Sequence, residues 1–170
     1  MSPEERIRRE QIIRQAEGYL ELGMPEHTLE SLAEFTLHQR DGKINHLLGE
    51  AYRALERYAE AVDYLQRAAK AVPDDIHVLL ALAWCHKRTG KIDQAIEALE
   101  NALEVDPSEA ILYYNLSCYC SLTGDRRRVL RYLAQALTID ADYRDLVYDE
   151  PDFDPLRNDP DFQELVSVIV

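Results

Sequence analysis

The chain has 170 residues, 46% hydrophobic and 30% charged, which suits a packed globular core and excludes an extended disordered polymer. Its formal net charge of −13 argues against nucleic acid and anionic membrane surfaces as partners, because phosphate neutralisation needs clustered Lys and Arg. No apolar run approaches spanning length, so no membrane insertion is expected.

Ser2-Pro3-Glu4-Glu5 opens the first helix, with Ser2 as its cap and Glu5 reaching back. This charged start lacks the apolar stretch of a signal peptide, and a cytoplasmic location is the expectation. Ala16–Gly23 reads as the end of that helix, and Pro25 as the first turn of the next. A turn follows at Arg40-Asp41-Gly42.

From there the chain repeats every 34 residues. Leu48, Leu82 and Leu116 form one series; Leu65, Leu99 and Leu133 a second; Ala68, Ala102 and Ala136 a third. A fixed period of this length marks stacked helix-turn-helix units, each unable to bury its apolar face alone. Three units result: 42–75, 76–109 and 110–143. Their first (A) helices are predicted over Lys43–Leu55, Asp75–Thr89 and Ser108–Thr123. Their second (B) helices are predicted over Tyr58–Ala71, Ile92–Val105 and Arg126–Ile139. Gly90 and Gly124 close A helices in the left-handed conformation, and Pro73 and Pro107 follow B helices where they prevent continuation. Gly49, Ala83 and Ser117 recur where helix A approaches helix B closely.

After Tyr143 the repeat stops. A short helix over Asp145–Glu150, turns at Pro151, Pro155 and Pro160, and an amphipathic helix over Asp161–Val170 are expected. Phe153, Leu156, Phe162, Leu165 and Val166 would cover the end of the last repeat. Arg126-Arg127-Arg128 with Arg131 makes a basic patch on which this acidic segment could dock; two solvated surfaces are the alternative.

Leu48-Gly49-Glu50-Ala51-Tyr52, Tyr58-Ala59-Glu60-Ala61, Ala68 and Pro73 resemble the tetratricopeptide repeat (TPR) pattern. So do Leu82-Ala83, Gly90-Lys91-Ile92-Asp93-Gln94-Ala95, Ala102 and Asp106-Pro107, and in the third unit Asn115-Leu116-Ser117, Gly124-Asp125 and Ala136. The third unit departs at Arg126, where an apolar residue is usual, and at Ala141, where Pro is usual. A degenerate unit over residues 1–41 precedes these three, with Ala16, Tyr19 and Leu32 lying 33 residues before Gly49, Tyr52 and Leu65. Segment 144–170 resembles the end-of-group cap of some bacterial TPR arrays.

The resemblance implies an all-α, right-handed solenoid of antiparallel helix pairs with C-terminal capping helices, whose A helices line a concave peptide-binding groove. The matching positions are Lys43, His46, Glu50 and Arg53; His77, Leu80, Trp84, Lys87 and Arg88; and Ile111, Tyr114, Cys118 and Ser121, with Ile13, Glu17 and Leu20 from the degenerate unit. Trp84, the single tryptophan, either anchors a ligand side chain or packs as core. The carboxylate clamp of some TPR domains is not matched: Glu50 stands where Asn is wanted, and Leu80-Ala81 where polar groups are.

Chemistry is sparse. Cys85, Cys118 and Cys120 are odd in number and without a CxxC pair, which points to buried free thiols. His27, His38, His46, His77 and His86 show no metal-ligand spacing, Asp152-Phe153-Asp154 fails as a calcium loop at Leu156 and Arg157, and no nucleophile or phosphate-loop motif occurs. The expectation is a non-catalytic module without metal or cofactor, a scaffold or adaptor holding a partner peptide or helix. A chaperone for a secreted or assembled protein and a self-assembling homo-oligomer are the alternatives; acidic TPR chaperones of secretion systems resemble the chain in length and repeat number, but its extended capping tail disagrees with them.

Overall fold

The computed structural model describes residues 1–167. The described residues are helical throughout, with no strand among them. Among the described residues, no helix is long and apolar enough to cross a membrane. Backbone contacts divide the chain into two units, Met1–Thr89 and Gly90–Val170, and the division falls inside the second 34-residue period.

The first unit holds α1 (Pro3–Glu21), α2 (Pro25–Leu32), a 3-10 turn (Leu37–Gln39), α3 (Gly42–Ala54), α4 (Tyr58–Ala71) and α5 (Ile76–Arg88). Ser2 caps α1 as the sequence requires: its hydroxyl accepts from the Glu5 amide at 3.1 Å, and the Glu5 carboxylate accepts from the Ser2 amide at 2.6 Å. Asp41 and Asp75 cap α3 and α5 by their side chains alone, accepting from the Ile44 amide at 3.0 Å and the His77 amide at 2.9 Å. The second helix is short. It stops at Leu32, and the chain then turns to bury Phe35, with the Arg9 guanidinium 5.0 Å from its ring. Thr28, where the repeat wants Ala, is fully buried because its hydroxyl donates to the Ala16 carbonyl at 3.1 Å.

Two apolar clusters hold this unit. Ile13, Ala16, Leu32, Phe35, Ile44, Leu47 and Leu48 form one; Ala61, Val62, Leu65, Leu82 and Cys85 form the other. Ile13 therefore belongs to the core and does not line a groove, a correction to the sequence expectation. Gly49 lets α3 meet α4: a Cβ there would lie 2.6 Å from Leu65 Cγ. Where Gly90 and Gly124 end their helices at φ +76°, the same repeat position before α4 is Glu56, at φ +57°.

The second unit holds α6 (Ile92–Val105), α7 (Ala110–Leu122), α8 (Arg126–Ile139), α9 (Tyr143–Asp149), a 3-10 segment (Pro151–Leu156) and α10 (Pro160–Ser167). The last three residues of the expected final helix lie outside the described residues. Phe153, Phe162, Val147 and Val166 are buried, so the capping segment supplies core to α7 and α8. Its acidic end docks on one arginine of the basic patch. Arg126 pairs with Asp159 and Asp161, with Nη2 donating to Asp159 Oδ1 at 3.0 Å. Arg128 instead pairs with Glu100, to which the Tyr132 hydroxyl also donates at 3.1 Å. The apolar-to-Arg departure at position 126 is thus the contact that receives the tail.

Candidate functional site: the A-helix faces

In the first unit, residues singled out from the repeat meet around Trp84. The indole is half-buried on α5 and packs on the second apolar cluster. Tyr58, the first residue of α4, meets it edge-on with ring centroids 5.2 Å apart. The guanidinium of Arg53 lies 5.6 Å from the indole centroid, and so does that of Arg88, which also sits 5.0 Å over the Tyr58 ring. Each such cation–aromatic contact contributes roughly 0.5–1 kcal/mol at a partly exposed site. Arg53 is fixed from its other side by Glu50, through bonds of 3.1, 3.2 and 2.5 Å. Hydrogen bonding to Glu50 raises the Arg53 pKa further above its ordinary value. The result is a layered assembly of Glu50, Arg53, Trp84, Arg88 and Tyr58.

The other expected positions are less concentrated. Lys43 is exposed, but its ammonium is 2.8 Å from Glu17 of α1, so this pair of candidates neutralises itself. His46, Leu80 and Lys87 are half-buried, and His77 is exposed. Leu20 packs on the first cluster. His86 is buried and is not a surface histidine.

In the second unit the equivalent face of α7 is covered. Ile111 remains exposed, but Tyr114, Cys118 and Ser121 are buried. The Tyr114 ring lies 4.9 Å from that of Tyr143 and 6.0 Å, edge-on, from Phe153. Burial raises the Tyr114 phenol far above its ordinary pKa, and Cys118, Glu150 and Asp152 push in the same direction. The expectation that Tyr114 and Cys118 line an open groove is therefore corrected: the chain's own capping segment fills that place. Tyr58 is the contributor that sequence reasoning missed; Phe153, expected to cover the end of the last repeat, packs its ring on Tyr114 there. Tyr58 shares its 34-residue series with Ile92 and Arg126, which could have marked it as facing the next A helix.

Among the described residues, no nucleophile–base pair lies around Trp84. Cys85 and Cys120 are buried free thiols, each pushed by that burial up to about 11, which keeps them protonated at neutral pH. Cys118, Glu150 and Asp152 hold a thiol and two carboxylates within 4.8 Å of one another, and these are the described residues that could ligate a cation.

Known proteins fit this picture. A tetratricopeptide-repeat family profile matches residues 38–117. A cattle protein named BBSome complex member BBS4 is 30% identical over 105 residues, covering 61% of this chain and 20% of its own length, so the chain spans only a small part of that relative. Among solved structures, MamA superposes with a TM-score of 0.73 at 23% identity over 80% of each chain. YrrB, described as a TPR protein with an unusual peptide-binding site, superposes at 0.72 and 23% identity over 79% of this chain and 70% of its own. The 34-residue period, the paired helices and these likenesses agree on a tetratricopeptide-repeat fold, with the family profile matching residues 38–117.

Proposed function

We propose that the chain is a non-catalytic interaction module, a scaffold or adaptor in which the A-helix face of the first unit binds a peptide or helix of a partner protein. The observation that carries this is the half-buried Trp84 between two guanidiniums, beside the half-buried Leu80. An indole that is rigid, amphipathic and only partly covered is a typical binding anchor. Arg88 selects charge at the rim, while Lys43, already paired with Glu17, contributes less than its position alone suggests. The likeness to a TPR protein described as having a peptide-binding site supports the reading, as does the likeness to a member of a protein complex.

A photo-crosslinker at Leu80 identifies the partner, and titration of that partner tests the site. Trp84→Ala is expected to weaken binding by about 2 kcal/mol while leaving the helical melt cooperative. Unchanged affinity, or loss of the melt together with binding, would make Trp84 a core residue and remove the site.

A further inference from the structure

A second surface of the first unit departs from the repeat in a concerted way. Asn45, in the first turn of α3, is 6% exposed. Its side-chain amide nitrogen donates to the carbonyls of Arg40 at 3.1 Å and Asp41 at 2.9 Å. Carbonyls only accept, so the amide orientation is fixed and Oδ1 must face the other way. That oxygen is buried and has no hydrogen-bond partner among the described residues. A buried acceptor left so costs about 1–3 kcal/mol. The following periods carry Leu79 and Tyr113 at this position, so the amide is not required by the fold.

Asn45 opens onto a cleft of about 440 Å³ bounded by Leu37, Arg40, Arg67 and Lys70. Arg67 and Lys70 make no ion pair among the described residues, and Arg67 is held 5.5 Å over the Tyr64 ring. The equivalent residues in later periods are Asn101 and Glu104, then Gln135 and Thr138. Arg40 is oriented by its Nε donating to the Phe35 carbonyl at 3.1 Å. The acidic residue at the cleft, Asp41, is neutralised by Arg9 at 2.6 Å. In a chain of net charge −13, this is a local excess of cations, with Leu37 67% exposed beside it.

We infer that this cleft is a second binding surface, for an extended acidic peptide segment of a partner protein. Carboxylates of the segment meet Arg40, Arg67 and Lys70, and an apolar side chain rests on Leu37. An inorganic anion would satisfy the cations but leaves the exposed Leu37 without an apolar partner, which is why a peptide is favoured. The inference does not rest on the Trp84 face.

The test uses the full chain and a fluorescein-labelled octapeptide alternating glutamate and leucine, read by anisotropy. Binding is expected, and R67E/K70E should weaken it by about tenfold or more, these being exposed side chains whose reversal adds repulsion to lost attraction. The reversal R127E/R131E on α8 should leave affinity unchanged, and a glutamine–leucine peptide should bind about tenfold more weakly or not at all. No binding of the acidic peptide, equal loss in both double reversals, equal binding of the glutamine peptide, or displacement by equimolar sulfate would each overturn the proposal. A circular-dichroism melt of each variant confirms that it folds.

Discussion

Two regions built on one repeat present opposite faces. In the first unit, α3 and α5 leave Glu50, Arg53, Trp84 and Arg88 only partly covered. In the second, α7 buries Cys118 and Ser121 at the positions of Trp84 and Arg53, and Tyr114 packs on the chain's own Tyr143 and Phe153, while Leu122, at the position of Arg88, stays exposed. The difference is not in the helix pair, whose small residues and leucines recur. It comes from what lies outside the repeat: an apolar, proline-broken segment that has somewhere to go. A repeat position thus predicts where a side chain projects, while distant sequence decides whether water or protein meets it.

The sharpest way to break the comparison is Phe153→Ala. Phe153 is fully buried against Tyr114 and Phe162, and its truncation should cost about 3–5 kcal/mol. Chemical denaturation measures the loss, and hydrogen exchange should show α7 deprotected. A loss under about 1 kcal/mol would mean that the segment decorates α7 and does not complete it.

Gly49→Ala tests the first unit on its own terms. A Cβ 2.6 Å from Leu65 forces α3 and α4 apart, at about 1–3 kcal/mol of stability. A neutral result would show that Leu65 yields by changing rotamer. In the second unit the same position is Ser117, whose buried hydroxyl has no partner among the described residues, so Ser117→Ala should gain about 1 kcal/mol. Glu56→Gly should also stabilise, by about 1 kcal/mol, because it relieves a left-handed backbone at φ +57°. Thermal melts of these variants check both signs.

pH separates the regions more gently. Hydrogen bonding from Arg126 holds the Asp159 carboxyl below its ordinary value of 3.8. A carboxyl depressed in the folded state contributes stability above its unfolded pKa and loses it as pH falls through the folded one. Acidification below 3.8 should therefore release α10 from α8, followed by exchange of α10 amides. Arg126→Gln should give the same faster exchange at neutral pH. If the amides of α10 exchange equally with and without Arg126, the pair is a surface contact and burial of Phe162 alone retains the helix.

Much of the fold was legible. The B helices run over Tyr58–Ala71, Ile92–Val105 and Arg126–Ile139 as the period requires, and the A helices differ by one or two residues at their ends. Capping residues explain that accuracy, since Asp41, Asp75, Asp125 and the two glycines punctuate the chain locally. The early stop of α2 was not legible, because burial of Phe35 under Arg9 competes with helix continuation through a contact distant in sequence. The capping role of Phe153 was legible, but its place against Tyr114 was not, for the same reason. Position 126 carried the clue: an arginine at an apolar series position asks for an acidic partner, and Asp159 supplies it.

The shielded thiols give the protein a built-in clock. Cys85 lies in the first unit, Cys118 and Cys120 in the second, and none reaches solvent in the folded chain. An alkylating reagent can modify them only while local packing is open, so modification rates read out transient opening in each half separately. Repeat proteins need not open all at once, and the thiols already place one probe in the first unit and two in the second.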